Sequence, residues 1–302
     1  MMDCAMDTMS EFRRCVATFM APSSQKVWRM PYRLARTKGI EKLCGLLGTH
    51  RKVQVDTFWG GRMTVVFPES VSVSIARYRF FEEGLTYTLL QYMKPGMVFF
   101  DVGSHFGYFS LLAGWLAGPR GQVHAFEPTP STYRVLSENL AGKSSMRANN
   151  LAVSSSESTL QLTDYGLALS AYNTVKEGKL GPQTAGRLTP VKHAVQAIPL
   201  DDYVARTGVA PHFIKVDAEG AELDILRGMP HTLATARPAV SLEVGDKGAD
   251  DGMSSSRQAL LHLIAAGYQP WEYADGRLIQ HEVRDRYGYD NILLLPVGQQ
   301  PE

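Results

Sequence analysis

Phe99-Phe100-Asp101-Val102-Gly103-Ser104-His105-Phe106-Gly107-Tyr108 decides how the rest of the chain is read. It continues a nearly unbroken apolar run, Met97–Val102, that suits a strand buried on both faces of a parallel sheet. The strand ends in an acid, glycines turn the chain, and Phe109–Leu116 carries on as an apolar helix. Strand, turn and helix in that order place a crevice at the carboxyl end of the strand, where open α/β sheets hold nucleotides. Gly103 permits the tight turn and Gly107 a close backbone approach. The helix start offers free N–H groups to an anionic group. A dinucleotide fingerprint would need glycine where His105 stands. The observed Asp-x-Gly-x-x-x-Gly fits a ligand with an amino-acid tail better than one with a pyrophosphate, which disfavours a NAD-dependent reductase.

Twenty positions beyond Gly107, Glu127 closes a second strand, Gln122–Phe126, in Phe126-Glu127-Pro128. An acid there can accept both hydroxyl hydrogens of a ribose. The bland alternative is a helix-capping Asp and a solvated Glu. Further along, helix Ser131–Leu140, strands Asn150–Val153 and His212–Val216, helix Ala221–Arg227, strand Ala239–Val244, helix Arg257–Ala266 and strand Asn291–Leu295 keep up the alternation of a parallel sheet with crossover helices. Between Ser154 and Val195 the chain is rich in Ser, Thr and Gly and reads as irregular, a lid or substrate loop. Tyr165, Tyr172 and Asn173 there are expected to shape an acceptor pocket. His193 is a weak candidate base, and His124 reads as structural within its strand.

Upstream, Glu11–Leu47 reads as helical with breaks at Pro22 and Pro31. Val53 to Ile75 reads as short alternating strands with a hairpin around Gly60-Gly61. A helix spans Glu82–Met93 before Lys94-Pro95-Gly96. The expected organisation is a basic helical extension over 1–52, a hairpin and helix over 53–96, and a cofactor-binding domain over 97–302.

A formal net charge of +1 offers no general case for nucleic acid. Basic residues nevertheless gather before Val53, which suits a solvated face or a contact with a membrane surface or a protein partner. Cys4, Cys15 and Cys44 have neither zinc spacing nor an even count, and a cytoplasmic setting is expected. No run has the roughly 18 apolar residues of a transmembrane span, and no signal peptide is evident. A homo-oligomer is compatible with all of this.

The sequence resembles the FkbM-type methyltransferases. The resemblance rests on Lys94-Pro95-Gly96, Asp101-Val102-Gly103, Phe126-Glu127-Pro128, Asn150-Leu151-Ala152-Val153-Ser154, Leu200-Asp201-Asp202-Tyr203 and Asp290-Asn291-Ile292. Its most specific piece is Ile214-Lys215-Val216-Asp217-Ala218-Glu219-Gly220-Ala221-Glu222, followed by Leu226-Arg227-Gly228 and Glu243. It covers about Phe81 to Leu295. It implies a doubly wound, Rossmann-like class I methyltransferase sheet behind an N-terminal helical and hairpin extension. It also implies S-adenosylmethionine as donor and O-methylation of a sugar, polyketide or other secondary metabolite. Asp101, Gly103 and Glu127 carry over to cofactor binding, with Ser104, His105, Gly107, Pro128, Asn150, Ala152 and Asp217 completing the expected set. The family usually has Asn where His105 stands.

Methyl transfer to a hydroxyl asks for alignment and a base. Candidates are Asp217 or Glu219, at the end of the fourth strand, supported by Lys215 and by Glu243 at the end of the fifth. Alternation puts Lys215 and Asp217 on one side of the strand, where they can pair. Alternatively these charges only brace the strand–helix junction. Asp217 and Glu243 also suit magnesium, the less favoured reading. Asp217-Ala218-Glu219-Gly220 lacks the Pro-Pro pattern of many amino-methylating enzymes. An N-methyltransferase and a non-catalytic S-adenosylmethionine-binding module are the alternatives.

Overall fold

Two prolines divide the N-terminal helical stretch. In the computed structural model, which describes residues 2–173, 190–218, 220–246 and 255–301, α1 spans Met2–Phe19, α2 Ser23–Arg29 and α3 Pro31–Leu47. Pro31 takes the first helical position, where its missing N–H leaves nothing unsatisfied. Strands β1 (Arg51–Asp56) and β2 (Arg62–Phe67) pair antiparallel, with Asp56 opposite Arg62 across the Gly60-Gly61 turn. Phe12 of α1 packs its ring 5.2 Å from Phe58 and 5.5 Å from Phe80, so the helices share the core of the hairpin.

The expectation of strands continuing to Ile75 is corrected by α4, Ser70–Tyr78. Its Ser-Val-Ser-Val-Ser-Ile sequence alternates as a strand does. However, Glu69 is buried and accepts the Val71 and Ser72 N–H groups at 2.8 and 2.6 Å, which caps a helix instead. Helix α5 is Glu83–Tyr92.

From there the chain alternates: β3 (Val98–Val102), α6 (Tyr108–Ala117), β4 (Gln122–Phe126), α7 (Pro130–Leu140) and β5 (Met146–Asn149). The third strand of the sheet is thus β5, not Asn150–Val153. The Asn150 amide donates to the carbonyls of Glu127 and Pro128 at 2.8 and 3.0 Å, which turns the chain out of the sheet. Ala152–Val153 forms β6 of a separate three-stranded sheet. That sheet also corrects the expected irregular stretch. β7 (Ser158–Asp164) and β8 (Val191–Ile198) pair antiparallel within it, and Leu167–Tyr172 forms a 3-10 turn. Residues 174–189 of that stretch lie outside the described residues, as does the Tyr172 side chain.

The remainder comprises α8 (Leu200–Thr207), β9 (Phe213–Val216), α9 (Glu222–Arg227), α10 (Pro230–Thr235), β10 (Ala239–Val244), α11 (Ser255–Ala265), β11 (Tyr268–Ala274), β12 (Arg277–Gln280) and β13 (Asp290–Pro296). The main sheet runs β12-β11-β13-β10-β9-β3-β4-β5. The five strands from β10 to β5 are parallel, and β13 is antiparallel to both its neighbours. Consecutive side chains of β3 feed opposite faces. Phe99 joins the core under the hairpin, α5, α6 and α7, while Phe100 joins the core under α8, α9 and α11. Strand order reverses between β3 and β9, so their carboxyl ends open a crevice at the switch point of a doubly wound sheet.

Candidate functional site

The turn after β3 is held by contacts that only glycine allows. Gly103 has φ +74°, and a Cβ there would lie 1.7 Å from the carbonyl oxygen of Asp217. The segments leaving β3 and β9 therefore touch backbone to backbone. The Ser104 N–H and hydroxyl both donate to the Phe126 carbonyl, at 3.0 and 3.1 Å, tying the turn to β4. His105 has φ +50°, the left-handed region in which Asn, Asp and His are the enriched side chains. That backbone requirement suits a histidine at this position. Its ring lies 3.8 Å from that of Phe106, and its Nε2 is 2.7 Å from the Ser170 hydroxyl of the 3-10 turn. Burial pushes its pKa below the ordinary histidine value, so it sits neutral.

Glu127, buried at the end of β4, accepts the His105 N–H on one carboxylate oxygen at 3.0 Å and the Thr129 N–H on the other at 2.9 Å. Burial raises its pKa to about 7, although these N–H groups oppose the shift. Beneath the turn, Asp101 is wholly buried and accepts the Ser110 hydroxyl at 2.6 Å. Burial raises its pKa, and Lys215 opposes the rise. The Lys215 ammonium is itself buried. It donates to the Gly103 carbonyl at 2.9 Å, pairs with Asp217 at 2.9 Å, and lies 3.5 Å from Asp101. Burial alone would lower its pKa, but Asp217, Asp101 and Glu82 together outweigh that and hold it above the usual lysine range.

One cavity of about 830 Å³ joins these groups, in the upper part of the roughly 300–1,000 Å³ typical of small-molecule sites. Gly103, Ser104, His105, Glu127, Pro128 and Ala152 line one part. Lys215, Asp217, Glu243, Glu82 and Tyr289 line another, with Ser170 and Asn173 also in the wall. Asp101, Gly107 and Asn150 stand behind the wall as supports, and His193 and Tyr165 are outside it. His193 lies 3.4 Å from Asp164, and Tyr165 gives its N–H to the Asn173 side chain at 2.8 Å. His124 is held by the Tyr203 hydroxyl at 2.7 Å, inside β4. Glu219 lies outside the described residues. Among the described residues no group of three or more His, Cys, Asp or Glu side chains is placed to hold a metal ion, so Asp217 and Glu243 gain no third ligand there.

Glu82 was not evident from sequence. It precedes α5 with φ +43°, yet its carboxylate does not cap that helix. It accepts the Tyr289 hydroxyl and, at 3.1 Å, the Asn291 amide. Burial, with help from Asp217, raises its pKa to about 7 against the bonds from Tyr289 and Asn291 and the charge of Lys215. A lone Glu before a helix reads as an ordinary cap, and its partners are 207 and 209 positions away, so no local pattern could have found it.

A glycine turn at a switch point, a buried acid at the next strand end and a charged cluster thus face one another across a single cavity. The model of the methyltransferase FkbM domain matches residues 101–270, more than half of the chain, and the chain belongs to that family. It is 30% identical over 159 residues to 31-O-demethyl-FK506 methyltransferase FkbM of Streptomyces tacrolimicus, a match covering 45% of this chain and 61% of that protein. It is 28% identical over 154 residues to hexuronic acid methyltransferase AglP of Haloferax volcanii, covering 50% and 58%. The chain spans about three fifths of the length of the curated relatives it matches. A solved methyltransferase FkbM from Methylobacillus flagellatus aligns at TM-score 0.41 and 14% identity, over 75% of this chain and 55% of that one.

Proposed function

We propose that this chain is an S-adenosylmethionine-dependent O-methyltransferase acting on a hydroxyl of a small molecule, such as a sugar, polyketide or other secondary metabolite. The observation that carries this reading is the single cavity that joins the Glu127 crevice to the cluster of Glu82, Lys215, Asp217 and Glu243. The donor set fits the cofactor. Each Glu127 oxygen takes one backbone N–H and keeps lone pairs for a ribose hydroxyl. Pro128, Leu151 and Ala152 offer an apolar wall to an adenine, and Gly103 and His105 border the remainder. When bound, S-adenosylmethionine supplies a methyl carbon on a sulfonium, whose transfer to an acceptor oxygen leaves a neutral thioether and frees one proton.

Glu82 is the group placed to take that proton. Tyr289 and Asn291 fix its carboxylate at the cavity wall, whereas Asp217 is committed to the Lys215 ammonium. Asp217 and Glu243 orient the acceptor hydroxyl, and Lys215 ties the fourth strand end to the glycine turn through the Gly103 carbonyl. Neutral His105 borders the site without adding charge. The relatives' names support methyl transfer to oxygen-bearing metabolites of different kinds.

Calorimetric titration with S-adenosylmethionine, S-adenosylhomocysteine and NAD tests the cofactor. Micromolar binding of the first two is expected, lost in Glu127→Ala and absent for NAD. A screen of hydroxyl and amine acceptors then reads the reaction. Binding without product from any acceptor would favour the non-catalytic module, and product only from amines would replace O- with N-methylation.

A further inference from the structure

The N-terminal helices expose large apolar side chains at the corner where they meet. Trp28 is 86% exposed, Tyr32 75% and Met20 70%, with Val27 and Phe19 beside them in sequence. Aromatic and aliphatic groups left this open within one short stretch of chain mark an interaction surface. The same segment is strongly basic. From Met1 to Lys52 there are ten Lys and Arg residues and four acids, Asp3, Asp7, Glu11 and Glu41, of which Glu11 pairs with Arg14 and Arg79 and Glu41 with Arg77. Lys26 sits 5.4 Å from both the Phe19 and Tyr78 rings, which keeps a cation at the base of the apolar cluster. Lys38 and Lys42 of α3 and Arg51 of β1 extend the charge away from that corner.

We propose that the face built by α1, α2 and α3 docks on an anionic lipid bilayer, with Trp28, Tyr32 and Met20 entering the headgroup boundary and the surrounding Lys and Arg meeting lipid phosphates. Trp and Tyr favour that boundary because one part of each ring system is apolar and another polar. Basic residues around an apolar cluster supply the attraction to anionic lipid that the cluster alone lacks. Nucleic acid would use the charge but leave the open apolar groups unexplained, and the chain as a whole is nearly neutral. Docking would also sit close to the chemistry. The outer side of α4 holds α1 and α3 through Tyr78 and Arg77, while Val71 and Ile75 of the same helix line the cavity.

Vesicle flotation of the full chain tests this. The protein should float with vesicles of phosphatidylcholine mixed with phosphatidylglycerol, not with phosphatidylcholine alone, and less as salt rises. Replacing Trp28 and Tyr32 together by serine should weaken binding about tenfold or more while the thermal melt stays unchanged, since both side chains are exposed. The proposal fails if the protein ignores anionic vesicles at low salt, binds neutral ones equally well, or binds undiminished as the double variant. A self-association that the double variant abolishes, with no vesicle binding by the parent, would assign the face to a second copy of the chain instead.

Discussion

Two buried carboxylates, Glu127 and Glu82, have pKa values raised to about 7, and each has a consequence that pH exposes. A carboxyl whose folded pKa lies above its unfolded one favours folding in its protonated form. The unliganded protein should therefore lose stability as pH rises from 4.5 to about 7, a trend that urea melts at several pH values will show. In the proposed function, ribose hydroxyls bind the ionised form of Glu127. S-adenosylhomocysteine should accordingly bind with proton release near pH 6 and none near pH 9, read by calorimetry in buffers of differing ionisation enthalpy. For Glu82, the rate limb of kcat/KM should rise to a plateau above about 7. Glu82→Gln should lower kcat by about 10²–10⁴-fold with donor binding retained. The Lys215 ammonium neutralises a wholly buried Asp101. Lys215→Met should lower the free energy of unfolding from denaturant melts by about 3–5 kcal/mol, because it strands that charge.

Between strands, the site depends on two close joints. One is the backbone contact of Gly103 with Asp217. Gly103→Ala should abolish donor binding, since its Cβ would overlap a carbonyl oxygen held by the neighbouring strand, and titration of the variant checks it. The other is the bond from His105 to Ser170, which pins the 3-10 turn over the glycine loop. His105→Ala should speed hydrogen exchange across Leu167–Asn173 several-fold without unfolding the sheet. The glycine turn and its flanking strands were legible in sequence because each is specified by neighbours: an apolar run, an acid and glycines at fixed spacing. The α4 helix was not, because Ser-Val-Ser-Val-Ser-Ile carries a period of two and only the buried Glu69 cap and the packing against α1 and α3 decide the outcome. β7 was hidden for a different reason: Ser158–Asp164 has only two apolar residues, Leu160 and Leu162, and its partner β8 begins only at Val191.

Across the full chain, the N-terminal helices belong to the same core as the hairpin and α6. Phe12 is 1% exposed and packs on Phe58 and Phe80, so Phe12→Ala should cost about 3–5 kcal/mol in chemical denaturation. Because α4 lies between these helices and the cavity, donor affinity should fall with it. The two parts of the cavity also differ in how they are encoded. The Glu127 part comes from residues 103 to 153, and its signals stand in order along the sequence. The part holding Glu82 is assembled from residues near 82, 217, 243 and 289, brought together only by the fold. Sequence patterns carry the first kind of information and not the second, which is why Lys215 and Asp217 could be paired on their strand while Glu82 could not be placed.

The position of β13 has a further consequence for the chain as it leaves the ribosome. β10, all six of whose residues are buried, is paired with β9 on one side and with β13 on the other. Yet β13 begins only at Asp290, well after β10 ends at Val244, and is translated later. For roughly 2–10 seconds at ordinary translation speeds, the nascent chain would present Ala239–Val244 as an open apolar edge, a template for adhesion between neighbouring nascent chains. Translation slowed between Val244 and Asp290 would lengthen that window, so yield of soluble product should depend on codon choice there more than in the segment before Met97.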